Sequence, residues 1–297
     1  MEFRTFQLLA QKTDQVPTEQ KSQNNTDIIV PLLGLAGETG ELLAEYKKHL
    51  RDGESYMIFK NRVSEELGDL LWYIANVATK FNLNLNEIAE NNLHKVNDRW
   101  NSQLTTDIIF DKDCSEKEML PRLFTVELRE VRPYGKNKIR MLFNGSQIGD
   151  DLTDNANDPD GYRFHDIFHL AYVAVLGWSP VIRKLMSKKR RSDPQIDEVQ
   201  DGGRAQVIDE GISALVFGYA KDHNWLENID EIDYELIRTI KGMTATLEVS
   251  KRSAADWKKA ILMGFSVWRD VLKHNGGYIL VDQNKKELKY IKNPSSH

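Results

Sequence analysis

An all-α N-terminal domain followed by a mostly helical α+β C-terminal domain is the fold class that this 297-residue sequence predicts. Three observations predict it. From Asp27 to Trp100 apolar residues recur at about 100° per residue, the period of an amphipathic helix. Between Asn101 and Pro121 that pattern stops and polar residues accumulate. Beyond it, Leu123 to Val131 and Lys138 to Ile148 alternate apolar with polar residues around Pro133-Tyr134-Gly135, as a β-hairpin does, before helical spacing resumes. The boundaries drawn from this are 1–105 for the first domain, 106–120 for a linker and 121–297 for the second domain.

Taken in order, Phe3 to Thr13 places Phe6, Leu9 and Ala10 at helical spacing, and polar Asp14 to Thr26 reads as a loop. Asp27 to Leu50 forms a helix whose apolar side is Leu32, Leu35, Leu42, Leu43 and Tyr46. A glycine-containing turn, Arg51 to Tyr56, leads to a second long helix over Lys60 to Asn82, with Val63, Leu67, Leu70, Leu71, Ile74, Val77, Ala78 and Phe81 on one side. Asn84 followed three residues later by Glu87 resembles a capping box and starts a third helix that runs to Trp100. After the first hairpin, the Asp- and Asn-rich stretch Gly149 to Gly161 reads as a loop. Helical regions are expected from Tyr162, from Gly202 to Asp222 and from Tyr234 to His274, and a second hairpin over Tyr278 to Ile291.

Composition narrows the function. A net charge of −5 makes bulk nucleic-acid binding unexpected, so an anionic ligand has to be met locally. Cys114 is the only cysteine, which rules out an internal disulfide and suits a reducing compartment. The opening Met-Glu-Phe-Arg-Thr-Phe-Gln lacks the blocks of a signal peptide, and the apolar run Ile167 to Trp178 is shorter than the roughly 20 residues of a membrane helix. A cytoplasmic location is expected. Lys188-Lys189-Arg190-Arg191 reads first as a solvated loop and second as a phosphate contact.

The chemistry concentrates in two acid pairs. Glu38 and Glu41 are three apart, as are Glu66 and Asp69, so each pair shares a helical face. One Glu-x-x-Glu alone is accounted for by a solvated face. Two pairs on successive helices would repel unless a cation neutralised them, and oxygen-only ligands favour Mg²⁺ or Mn²⁺. Gly34, Gly37, Gly40 and Gly68, each costing about 1 kcal/mol against Ala in a helix, suggest close approach of a partner backbone. On the third helix Asn92, Lys95 and Arg99 lie along the edge of the apolar side, either snorkelling to water or facing the acids.

Gly-Leu-Ala-Gly-Glu-Thr-Gly-Glu at Gly34 to Glu41, Glu-Leu-Gly-Asp-Leu-Leu-Trp-Tyr at Glu66 to Tyr73 and Asn-Leu-His-Lys-Val-Asn-Asp-Arg at Asn92 to Arg99 together resemble the MazG-type nucleotide pyrophosphohydrolases, of the all-α NTP pyrophosphatases. Gln7, Ala10 and Thr13 resemble the lead-in of such proteins, and Tyr162 to Ala220 resembles an extension attached to some of them. The resemblance implies a helical bundle completed by dimerisation, as a dimer or tetramer. It also implies Mg²⁺-dependent cleavage of an NTP or dNTP between the α and β phosphates, giving a monophosphate and pyrophosphate. Glu38, Glu41, Glu66 and Asp69 fall on its metal-binding and catalytic signature, Asn92, Lys95 and Arg99 on its substrate-binding positions, and Lys48 is a further candidate for the phosphates. Glu45 joins the four acids as a candidate general base. The alternative is a nucleotide sensor whose second domain signals to a partner.

In the second domain His165 and His169 are four apart, a spacing that lets two imidazoles share a metal. Asp166, Asp209 and Glu210 are candidates to join them, and a pair of satisfied core histidines is the competing reading.

Overall fold

The computed structural model describes residues 1–15, 26–100, 108–133 and 137–292, with Thr26, Arg99 and Trp100 described in backbone only. Most of the expected loop Asp14 to Thr26, the start of the expected linker, the turn residues Tyr134 and Gly135 and the side chain of Arg99 lie outside the described residues. The chain divides into two units, Met1–Val96 and Asn97–His297.

The first unit is helical: α1 (Phe3–Gln11), α2 (Thr26–Asp52), α3 (Phe59–Lys80) and the start of α4 (Leu85–Trp100). Helices α2 and α3 pack against each other along their lengths, and α1 lies on α3. Gln7, Ala10 and Thr13, spaced to share one helical face, make that second contact. The Gln7 amide donates to Thr79 Oγ1 at 3.1 Å and to the Leu83 carbonyl at 2.8 Å, and its oxygen accepts from Leu85 N at 3.0 Å, joining α1 to the α3–α4 turn. Trp72 Nε1 donates to Thr13 Oγ1 at 2.7 Å. The small core beneath is Ala10, Ala75, Ala78 and Leu85, flanked by Phe6 and Trp72.

The apolar stripe expected on α3 is therefore not the face most deeply covered. Leu67 is 51% exposed, and Ile74 and Phe81 are also open, whereas Ala75, outside the stripe, and the small Ala78 within it are buried against Ala10 of α1. The glycines differ likewise. A Cβ at Gly34 would stand 2.2 Å from the Tyr73 ring, whereas at Gly37, Gly40 and Gly68 it would meet nothing, so a side chain, not a backbone, explains one glycine of the four.

The second unit contains one five-stranded antiparallel sheet in place of two separate hairpins. Strands β1 (Leu123–Val131), β2 (Lys138–Phe143) and β3 (Ser146–Leu152) are followed much later by β4 (Gly277–Asp282) and β5 (Glu287–Ile291). Their order is β3-β2-β1-β4-β5. Register pairs Val126 with Phe143 on one side and with Ile279 on the other, so β1 joins both ends of the unit. Strand β3 occupies part of the stretch expected as loop; as an edge strand it is largely exposed, and its Asp150-Asp151 hid it from an alternation test.

Between the strands come α5 (Asp166–Leu176), α6 (Pro180–Leu185), α7 (Pro194–Val199), α8 (Gly203–Lys221), α9 (Tyr234–Met243) and α10 (Ala254–His274). Every residue of α5 is buried. It packs on α10 where Gly264 faces Ala171 and Phe168, and Phe168 stacks on Phe265 with ring centroids 4.5 Å apart. Ser253 and Asp256 form the capping box that starts α10 and separates it from α9, which had read as one region. Among the described residues no helix is long and apolar enough to cross a membrane.

Two stretches read as polar linker or solvated loop bury charges instead. Asp111, inside the expected linker, accepts from Leu120 N at 2.9 Å and Arg183 Nη2 at 2.8 Å and pairs with Arg122, so the described part of that segment belongs to the second unit. Arg190, expected in a solvated loop, is fully buried between Asp201 and Glu248, both at 2.7 Å from Nη2. Removing one partner of a buried ion pair costs about 3–5 kcal/mol, since the other charge stays desolvated. Arg190→Ala is accordingly expected to lower the unfolding free energy of the full chain, read from urea titration, by an amount of that order; a value within error of the wild type would show that Asp201 and Glu248 are not held by this cation.

Candidate metal centre

The seam between α2 and α3 gathers three of the four signature acids. Joined by residues 53–58, the helices fold back on each other, and Glu38, Glu66 and Asp69 each offer a carboxylate oxygen within 4.8 Å of the others. Glu38 and Glu66 are half-buried and Asp69 is exposed. Glu41 is exposed and stands outside this convergent group. It remains within electrostatic reach: the Glu66 carboxyl is pushed above its ordinary range first by burial, then by the charges of Glu38 and Asp69, and further by Glu65 and Glu41.

This donor set fits a hard divalent cation. Three oxygens converge with no cation of the described residues among the causes that shift Glu66, so a bound ion would relieve the repulsion that Glu66 registers.

Glu45, one turn past Glu41, is differently employed. Buried, it accepts from Lys48 Nζ at 2.5 Å and from the Tyr56 hydroxyl, and these two hydrogen bonds hold its carboxyl below the usual range. Lys48 is thereby held at Glu45, which sets both residues up as support for the α2–α3 turn. Tyr56 had not been singled out, since no helical spacing links 45 to 56. Asn92 and Lys95 are exposed on α4.

A second cluster lies in the other unit. His165, Asp166 and His169 are all buried and bring ligand atoms within 4.8 Å of one another. His169 Nδ1 is 2.8 Å from Asp209 Oδ1, and its Nε2 is 3.3 Å from Glu210 Oε2. Burial opposes a charge on His169, but Asp209, with Glu210 behind it, overcomes this and raises the imidazole to about 10. Asp209 is itself positioned by Ser179 Oγ at 2.6 Å and Val181 N at 3.2 Å, both at the start of α6. Ser179 is the N-cap of a helix opening with Pro180, and Ser-Pro is the sequence signal for that start; nothing local marks it as an anchor for this aspartate.

Residues 30–103 match the model of the MazG nucleotide pyrophosphohydrolase domain, and residues 105–294 match that of the MazG C-terminal domain. The chain is also similar to the Gene 37 protein of Mycobacterium phage L5, with 31% identity over 101 residues, a stretch covering 33% of this chain and 89% of that relative. No solved structure matches it.

The raised Glu66 carboxyl has a consequence for stability. Its folded value lies above the unfolded one, so the folded state binds the extra proton and this contribution is lost as pH rises through the folded value. In the chelator-treated chain, the stability of wild type relative to Glu66→Gln is expected to fall as pH rises from about 4 to about 7. Calorimetric unfolding of both proteins across that range checks it, and a difference that is flat or rises with pH would contradict the crowded-acid geometry.

Proposed function

The chain belongs to the MazG family, joining a MazG nucleotide pyrophosphohydrolase domain to a MazG C-terminal domain, and from this premise we propose a Mg²⁺-dependent hydrolase that cleaves nucleoside triphosphates between the α and β phosphates to a monophosphate and pyrophosphate. The observation carrying the proposal is the convergence of Glu38, Glu66 and Asp69 within the matched domain.

In this reading Glu38, Glu66 and Asp69 hold the cation, with Mn²⁺ an acceptable substitute for Mg²⁺. When bound, such an ion polarises a phosphoryl oxygen, lowers the pKa of water and neutralises developing charge. Glu41, left outside the trio, takes the proton of the attacking water. Asn92, Lys95 and Arg99 bind the substrate, the two cations meeting phosphate oxygens that would otherwise face a seam of acids. Lys48 keeps Glu45 ionised and fixes the turn that returns α3 to α2. The setting proposed is the cytoplasm, where nucleoside triphosphates are supplied.

The active form is proposed to be a dimer or a pair of dimers. Leu32, Leu33, Leu43, Leu50 and Leu67 are each more than two-fifths exposed, while the apolar core of the first unit is small. A second copy of the same helices supplies the apolar surface to cover them.

Two measurements test this reading. Glu38→Gln, Glu66→Gln and Asp69→Asn are each expected to lower kcat/KM by roughly 100-fold or more, the scale of several kcal/mol of lost charge stabilisation. Glu41→Gln is expected to lower kcat with the Mg²⁺ requirement unchanged. Near-wild-type rates in two of the trio variants would displace the site, and tight nucleotide binding without turnover in the wild type would favour the sensor. In sedimentation at micromolar concentration the chain is expected to run as a dimer or larger, and a monomer would contradict the proposed assembly.

A further inference from the structure

The C-terminal unit brings two imidazoles and two carboxylates together. His165 Nδ1 lies 2.9 Å from the Tyr162 carbonyl oxygen and His169 Nδ1 2.8 Å from Asp209 Oδ1. A carbonyl and a carboxylate only accept, so each Nδ1 carries a proton and donates it, which leaves both Nε2 atoms as the ligand positions. Both turn to one carboxylate: Glu210 Oε2 is 3.6 Å from His165 Nε2 and 3.3 Å from His169 Nε2. Asp166 closes the ring with Oδ1 3.9 Å from His165 Nε2. Only 6% exposed, Asp166 accepts no side-chain hydrogen bond from any described residue.

A self-contained ion pair explains only part of this. A proton on His169 meets Asp209 and Glu210, whereas Asp166 has only His165 Nε2, 3.9 Å away, as a side-chain neighbour of opposite character among the described residues. His165 is held in place twice, by its hydrogen bond and by Tyr162 stacked on it with centroids 4.5 Å apart, so it is positioned in advance. Two imidazoles and two carboxylates form the donor set of a transition metal, whereas Mg²⁺ and Ca²⁺ seek oxygen alone. His169 donating to Asp209, which Ser179 and Val181 hold, reproduces the support that orients metal-bound histidines.

We propose that His165, Asp166, His169 and Glu210 form a second metal centre that takes one divalent transition metal ion of the zinc, iron or manganese class. Three of the ligands are buried, and the Glu210 side chain, 47% exposed, gives the ion its route to solvent.

The test is metal retention by the full chain. Wild type, Glu66→Gln, His165→Ala and Glu210→Gln are loaded separately with Zn²⁺ and with Co²⁺, desalted, and their metal content measured, with the visible spectrum of the cobalt forms recorded. Wild type and Glu66→Gln are expected to retain about one equivalent, with cobalt bands unaffected by excess Mg²⁺. Both second-unit variants are expected to bind at least about tenfold more weakly, the lower bound for loss of a group that supports a metal. Glu210→Gln keeps the shape of a half-exposed side chain, so it decides the matter should His165→Ala fail to fold by circular dichroism. Equal retention by wild type and Glu210→Gln, or no retention of either metal by wild type, overturns the proposal. Loss of metal in Glu66→Gln alone would assign it to the first unit and overturn it as well.

Discussion

Like charges brought together at the seam of two helices are the constraint on which the first unit depends. Packing α2 against α3 costs electrostatic free energy where Glu38, Glu66 and Asp69 meet, and Glu66, the most enclosed by its neighbours' charge, carries that cost as a raised carboxyl. Among the described residues, Lys48 is held by Glu45 and Arg62 by Glu65 at 2.7 Å, so neither cation is turned to the three acids. The helix pair is thus arranged around an electrostatic deficit that a divalent cation held by these three acids would remove.

The second unit handles charge in the opposite way. Asp111, Arg183, Arg190, Asp201 and Arg252 are almost wholly buried, yet most are met by groups of opposite charge or by backbone. Arg252 donates to the carbonyls of Leu176 and Ile108, tying the segment before β1 to the end of α5. The cluster around His165 and His169 stands out against this background, since among the described residues no side chain hydrogen-bonds to the buried Asp166.

What was legible in the sequence divides along the same line. Helix positions in the first unit follow from periodicity because α2, α3 and α4 are long, and the acid spacing of three placed Glu66 and Asp69 on one face without any tertiary information. Which face of α3 would be covered was not legible, since Ala75 and Ala78 contribute little to an apolar stripe yet admit α1 most closely. In the second unit, β1 pairs with β4 across more than 140 intervening residues, a relation no local pattern encodes. The buried role of Arg190 was likewise hidden, because a run of four basic residues looks the same whether or not Asp201 and Glu248 fold over one of them. His165 and His169 were visible as a spacing of four, while Asp209 and Ser179, which orient His169, depend on how α6 and α8 meet.

If the acid seam serves a pyrophosphohydrolase, as proposed, the identity of the phosphorus products shows it most directly. The full chain with Mg²⁺ and a panel of ribo- and deoxyribonucleoside triphosphates would be followed by ³¹P NMR. At least one nucleotide is expected to be converted to monophosphate and pyrophosphate in equal amounts, with no orthophosphate formed early. Early appearance of orthophosphate with a diphosphate, or no turnover of any nucleotide in the panel, would contradict it.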